Sequence, residues 1–455
     1  MAAIKINSVE EAKKIINERK IEYVKVGVFD IDGVFRGKYM ATAKFLSALT
    51  SGFGFCGVIA GWDSNDQLYD NVTFTGWHTG YGDITTRIIP ESCREIPQEN
   101  NTLLFLSEFD EEGEKICPRG LLKRVGQRAT KMGFIPKASC EFEFFVFDET
   151  PDSAREKGYR NLKNISPGSF GYSMLRNSVY SDFYEELLDT CIEMGFPLEG
   201  LHTETGPGVI EAALIYDDLL PAADQAALFK TYTKILAQNR DWMATFMAKW
   251  SPDCPGLSGH IHLSLQDLSG NSVFYDSAKE NTISDTMRYF IGGQQQLMPE
   301  LLAMCSPTIN SYTRLIPGFW APTDASWGID NRTTALRAIL GSQKSQRVEY
   351  RVTAADINPY IALSAALGSG LWGIENKIEP DAPIKGNAYD HKYPVERQLP
   401  RSLQDAANRL QESSVAHELF GSEFVNHYAA TRIWEQREFN KHITDWEMER
   451  YFEII

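Results

Sequence analysis

The chain has 455 residues, of which 43% are apolar and 23% charged, and its formal net charge is −16. That length exceeds one ordinary domain, so two unequal domains are expected, and the acidic balance argues against nucleic acid or an anionic membrane as partner. The opening residues lack the apolar core and cleavage site of a secretory signal. No stretch reaches the ~18 apolar residues of a membrane span, and the seven cysteines include no Cys-x-x-Cys pair, so a cytoplasmic protein with reduced thiols is expected.

Taken in chain order, Val9 to Arg19 reads as an amphipathic helix. Tyr23 to Asp30 reads as a strand, Asp32-Gly33 as a turn, and Phe35 to Met40 as the strand that completes a hairpin. Thr102 to Leu106 is another strand. The polar run after Asp110 marks a boundary near residue 113, giving domains of 1–113 and 114–455, and Cys117-Pro118 opens a helix with proline in its first turn. Beyond it strands are expected at Ala138 to Asp148, Val209 to Leu214, Gly259 to Leu265 and Arg347 to Thr353. Helices are expected at Asp182 to Met194, within Pro221 to Lys249, and from Leu403 onward. The fold class is α+β, with a large antiparallel sheet in the second domain.

Three of these strands carry an unusual polar face. In Ser139-Cys-Glu-Phe-Glu-Phe-Phe, Glu141 and Glu143 are two apart, so both carboxylates share one face and the phenylalanines take the other. His260 and His262 do the same in the third strand, and Arg347, Glu349 and Arg351 in the fourth. The segment from His202 to Glu211 adds Glu204 and Glu211 around a Gly-Pro-Gly turn. A half-exposed sheet explains any one such strand, because solvated faces also alternate; it explains all four together poorly. If the faces converge, five glutamates and a histidine need cations between them, and oxygen donors with an imidazole suit Mg²⁺ or Mn²⁺ better than zinc. Adjacent arginines suit carboxylate and phosphate, so the set points to phosphoryl transfer to a carboxylate.

The ordered runs Glu141-Phe-Glu143, Glu204 to Glu211, Gly259-His-Ile-His262, Asn310 to Gly318, Asp330-Asn-Arg332 with Arg337, and Arg347 to Arg351 resemble the glutamine synthetase family. The resemblance spans nearly the whole chain and is strongest from Cys117 to Lys377. It implies a small N-terminal β-grasp domain, into which Asp30-Ile-Asp32-Gly33 fits, although an Asp-Gly pair is more often a plain turn former. It also implies a large catalytic domain with a curved antiparallel sheet.

The implied chemistry is ATP-dependent ligation through γ-glutamyl phosphate, with two or three Mg²⁺ or Mn²⁺ ions per site. Glu143, Glu204 and Glu211 match the ligands of one cation, and Glu141, His260 and Glu349 those of a second. Glu199, His262, Arg332 and Arg347 match nucleotide contacts. Arg337 and Arg351 match arginines facing the transferred phosphoryl group. Arg314, with Arg351 and the Gly256 backbone, matches the glutamate-binding set. Family members assemble into hexameric rings, often paired as dodecamers, with each site completed by the small domain of the next subunit.

The departures concern the third substrate. Ammonia-using members read Pro-Gly-Tyr-Glu-Ala-Pro in a flap where this chain has Pro317-Gly-Phe-Trp320-Ala-Pro322. The aspartate loop that helps bind ammonium has no clean match in Val58 to Asp66, where Trp62 and Asp63 stand nearby. Tyr172 falls at the family's pocket tyrosine. Replacing a carboxylate by an indole favours an amine with a hydrocarbon or aromatic body. The expected function is therefore a glutamate–amine ligase, using an alkylamine or an arylamine such as aniline, as in amine degradation. Glutamine synthetase using ammonia is the alternative, and a non-catalytic scaffold on the same fold is a second.

Overall fold

The computed structural model describes residues 4–455, so the first three residues of the N-terminal stretch lie outside it. The first helix, Val9–Glu18, starts where the Ser8 side chain accepts the Glu11 N–H, and it buries Ala12 and Ile16. After it comes a six-stranded sheet of β1 (Tyr23–Phe29), β2 (Phe35–Ala41), β3 (Phe53–Cys56), β4 (Asp83–Ile88), β5 (Arg94–Glu95) and β6 (Leu103–Phe109). Its order is β2-β1-β6-β4-β3, with β5 on β6. The β1–β2 hairpin is antiparallel while β1 and β6 run parallel, the mixed arrangement of a β-grasp fold. Asp30 proves to be a turn former. Its carboxylate accepts the Asp32 and Val34 N–H groups and Arg36 Nε, and Gly33 follows at φ +78°.

The second sheet has nine strands: β7 (Phe134–Phe147), β8 (Leu198–Thr203), β9 (Val209–Leu214), β10 (Asp217–Asp218), β11 (Met243–Thr245), β12 (Gly259–Asp267), β13 (Trp327–Ile329), β14 (Leu336–Ile339) and β15 (Arg347–Tyr350). The path is β13-β14-β15-β12-β7-β9-β8, antiparallel except between β13 and β14. The long central β7 buries alternate residues, and Phe142 and Phe144 pack against Phe229 and Phe246 behind the sheet. Phe229 lies on the helix Leu219–Gln238, which supplies much of that cover. The helices Asp285–Leu301 and Pro359–Asn376 meet at Gly293 and Gly373, where a Cβ would come within 2.5 Å of the facing backbone.

Four expected strands differ in extent by two residues or more, β6 running on to Phe109 and β12 to Asp267. β7 starts at Phe134 rather than Ala138, because pairing with β12 continues to Asp267. β15 ends at Tyr350 rather than Thr353; from there the Arg351 N–H bonds the Ala335 carbonyl and its side chain folds back on Glu349.

The two sheets are stitched together. Phe29, Ile31, Leu104 and Leu106 of the N-terminal part join the main core. Asn358 Nδ2 donates to the Asp30 carbonyl at 3.0 Å, and the buried Arg432 pairs with Asp32. All seven cysteines are free, and six are buried. Among the described residues no helix is long and apolar enough to cross a membrane.

Candidate active site

The site grows from the register of the nine-stranded sheet. Glu143 pairs with Glu211, and Glu211 with His202, across β7, β9 and β8. His260 pairs with Glu141 across β12 and β7, while His262, Glu349 and Arg337 pair in turn across β12, β15 and β14. Antiparallel pairing puts partners on the same face. The period-two polar positions of the separate strands thus become one patch of carboxylates and imidazoles, opposite the phenylalanine face.

Within that patch two groups stand out as able to hold a metal ion: Glu143, Glu204 and Glu211, and Glu141, His262 and Glu349, each with donor atoms within 4.8 Å of one another. In the first group burial pushes the Glu143 carboxyl up to about 7. Burial, followed by the charges of Glu141, Glu143 and Glu204, pushes Glu211 up to about 10, and burial also raises Glu204. The Glu204 Oε2 atom is buried without a hydrogen-bond partner. Three half-desolvated carboxylates this close repel one another unless a proton or a cation sits between them, so the donor set fits a hard divalent ion.

The second group behaves differently. Burial opposes ionisation of Glu141, yet hydrogen bonds with His260 and His262 hold its carboxyl well below the usual range. Burial is likewise outweighed at Glu349, where the charges of Arg351 and His260 bring the carboxyl down to about 2. Arg337 Nη1 donates to Glu349 Oε2 at 3.0 Å and Arg351 Nη1 to Glu349 Oε1. His260 Nδ1 lies 3.2 Å from Glu141 and 3.3 Å from Glu349, and burial, then Arg351, keeps this imidazole neutral down to about 4. His262 Nε2 is 3.8 Å from Glu141, while its Nδ1 accepts Arg347 Nε at 3.2 Å. Spacing placed both histidines on this face; both rings lie beside Glu141, with His260 also against Glu349 and His262 also against Arg347.

Arg314 is fully buried, and its guanidinium donates only to neutral acceptors: the Val352 carbonyl at 3.0 Å, Ser258 Oγ at 3.0 Å and the Arg351 carbonyl at 3.2 Å. Among the described residues no carboxylate forms an ion pair with it. Burial lowers its pKa to about 10, so it still carries its charge near neutrality. Gly256 lies against this side chain, since a Cβ there would fall 2.6 Å from Arg314 Cγ. A buried cation held by neutral groups beside a glycine backbone suits a substrate carboxylate.

The remaining expected residues fall into four places. Glu199, His262 and Arg347 line one cavity of about 210 Å³ together with Glu141 and Tyr216. Arg332 does not join them; it lines a separate cavity of about 380 Å³ with Trp320 and Asp330. Trp320 is 58% exposed and has φ +58°. Tyr172 is also exposed, and its ring stacks on His202 at 4.4 Å, beside the first carboxylate group. Trp62 and Asp63 are not brought to Trp320 within one chain. The Trp62 ring lies under Arg36, and Asp63 Oδ1 accepts the Asn65 and Gln67 N–H groups in a tight turn, facing a cavity shared with Lys230 and Lys234.

Three contacts, made by two residues, escaped the sequence reading. Asp330 accepts from Arg337 Nε at 2.9 Å. Ser258 bonds both Glu143 and Arg314, and its place two residues before His260, on the same strand face, was a usable signal.

Comparison with known proteins agrees with this geometry. The profile described as glutamine synthetase, catalytic domain, matches residues 115–451. The chain is 47% identical over 450 residues to type-1 glutamine synthetase 2 of Dictyostelium discoideum, covering 97% of this chain and 86% of that protein. It is 38% identical over 451 residues to glutamate–isopropylamine ligase of a Pseudomonas species, covering 98% of each. Ligand-free GmaS superposes with a TM-score of 0.85 at 26% identity, over 97% of this chain and 99% of that structure. The carboxylate–imidazole sheet face, the buried arginine and these full-length similarities have one common reading: the chain belongs to the glutamine synthetase family and is an ATP-dependent carbon–nitrogen ligase that uses Mg²⁺ or Mn²⁺.

Proposed function

We propose that this ligase joins the γ-carboxylate of L-glutamate to an organic amine, giving a γ-glutamylamide, ADP and phosphate. The carrying observation is Trp320, an exposed indole in a left-handed backbone conformation beside Arg332, at the position where ammonia users carry a flap glutamate. An indole gives an apolar wall to a hydrocarbon or aryl group and no charge to an ammonium ion. The 38% identity to glutamate–isopropylamine ligase and the 34% identity to γ-glutamylethanolamide synthetase of Streptomyces coelicolor support the reading. The 47% identity to a type-1 glutamine synthetase favours the second reading, in which the amine is ammonia itself.

In this account Glu143, Glu204 and Glu211 hold one divalent cation, and Glu141, Glu349 and His260 a second. His260 is preferred over His262 because His262 Nδ1 already accepts from Arg347, which leaves the ring proton on the nitrogen facing Glu141. Bound there, the cations supply charge neutralisation for the phosphates. Glu199, His262 and Arg347 serve the nucleotide; Arg332, expected with them, lies instead in the cavity of Trp320. Arg314 holds the glutamate carboxylate. Arg337 and Arg351 stabilise the phosphoryl group as it passes to the γ-carboxylate oxygen. The amine nitrogen then attacks the carbonyl carbon of the mixed anhydride, phosphate leaves with the bonding pair, and the nitrogen sheds a proton. Tyr172 and Trp320 line the amine pocket, and Trp62 and Asp63 reach it from the adjacent subunit of a hexameric ring, in a cytoplasmic hexamer or dodecamer.

Trp320→Glu tests the reading. It should lower kcat/KM for organic amines and raise it for ammonium; equal effects on all amines would contradict it.

A further inference from the structure

We infer that Ser258 is a positioning residue that couples the glutamate-binding arginine to the first carboxylate group. It stands at the junction of the two. Its backbone N–H donates to Glu143 Oε2 at 2.6 Å, and its carbonyl accepts the Glu143 N–H at 2.9 Å. Its hydroxyl oxygen accepts Arg314 Nη2 at 3.0 Å. One buried residue, 8% exposed, therefore touches a carboxylate of the candidate metal site through its main chain and the buried guanidinium through its side chain.

The local backbone holds Ser258 in place. It forms an isolated antiparallel bridge with Ala354, and the next residue must be glycine, because a Cβ at Gly259 would lie 2.5 Å from the Ala354 carbonyl oxygen. The strand is thus clamped between Glu143 on one side and the Ala354 backbone on the other. The Ser258 hydroxyl is the only side-chain acceptor among the three that hold Arg314; the others are the carbonyls of Val352 and Arg351. Because all three are neutral, the guanidinium is oriented without its charge being cancelled, and it remains available for a substrate carboxylate.

The hydroxyl and the main chain have separable roles. Losing the hydroxyl leaves Arg314 Nη2 with the Arg351 carbonyl alone, at 3.2 Å, and loosens the aim of the guanidinium, while the N–H to Glu143 survives any substitution other than proline. The inference rests on Arg314 holding the glutamate carboxylate, and the experiment separates the two claims.

Steady-state kinetics of Ser258→Ala, Ser258→Thr and Arg314→Lys, with any amine the wild type turns over, form the test. Ser258→Ala should raise KM for L-glutamate about tenfold, with KM for ATP and the Mn²⁺ activation constant within about twofold of wild type. Ser258→Thr, which keeps the hydroxyl, should recover most of the glutamate affinity. If Ser258→Ala folds poorly, equilibrium binding of radiolabelled L-glutamate to Ser258→Gly, which also lacks the hydroxyl, and to wild type, at matched folded fraction, gives the same comparison. An unchanged KM for glutamate in Ser258→Ala, alongside a large rise in Arg314→Lys, would overturn the coupling alone. No rise in Arg314→Lys would overturn the glutamate assignment. Equal losses in the Ala and Thr variants, or a shift in Mn²⁺ activation as large as that in KM, would reduce Ser258 to a packing role.

Discussion

Glu143 and Glu211 face each other across β7 and β9 as direct register partners, and both hold their protons far more tightly than an ordinary carboxyl, Glu143 to about 7 and Glu211 to about 10. Each value lies above the usual 4.5, so the folded chain binds these protons more strongly than the unfolded one. The stability this contributes is complete below about pH 4.5 and is lost as the pH rises through 7 toward 10. Metal-free protein should therefore lose thermal midpoint between pH 5.5 and 8, and Mn²⁺ should restore it at pH 8 by about 3 kcal/mol at a hundredfold excess over Kd. Thermal melts with EDTA or Mn²⁺ at the two pH values check this; a metal effect equal at both, or none, would contradict the site.

Removing the Glu211 carboxyl separates stability from function. Glu211→Gln removes a group that must take up a proton on folding at pH 8 and should raise the metal-free midpoint there, while lowering activity at least a hundredfold if, as proposed, Glu211 is a cation ligand. A variant that keeps activity, or melts lower without metal, would count against Glu211 as a ligand.

Much of this site was legible in the sequence, for a definite reason. A strand has period two, so Glu141 with Glu143, His260 with His262 and Arg347 with Glu349 declare their shared faces without a structure. The same period could not part His260 from His262, because both lie on one face; the hydrogen bond from Arg347 to His262 and the contact of His260 with Glu349 distinguish them. Arg332 and Trp320 sit on irregular segments, where spacing carries no direction, and their shared cavity had to be seen. Trp62 and Asp63 were legible only as a loop, since nothing within one chain brings them to Trp320. Ser258 obeyed the strand period as plainly as the histidines, but serine carries no charge to mark it.

Gly256 should tolerate no side chain. With a Cβ 2.6 Å from Arg314 Cγ and 2.9 Å from the Ala248 carbonyl oxygen, Gly256→Ala must shift the arginine or the loop. The expected result is a loss of about 1–3 kcal/mol in stability together with a raised KM for glutamate, read by denaturant melts and kinetics.

The salt link between Arg337 and Asp330, 2.9 Å at Nε, holds the guanidinium beside Glu349. Asp330→Asn should lower kcat about tenfold with little change in KM for glutamate if, as proposed, the arginine acts on the transferred phosphoryl group rather than on substrate binding. A change confined to KM would misplace Arg337.

The central claim is that an organic amine, not ammonium, is the acceptor. Phosphate release from ATP with L-glutamate, measured across methylamine, isopropylamine, ethanolamine, putrescine, aniline and ammonium, tests it most directly. The account predicts that kcat/KM for at least one organic amine exceeds that for ammonium by tenfold or more. A preference for ammonium over every member of the panel would contradict it and make Trp320 a packing residue of a glutamine synthetase.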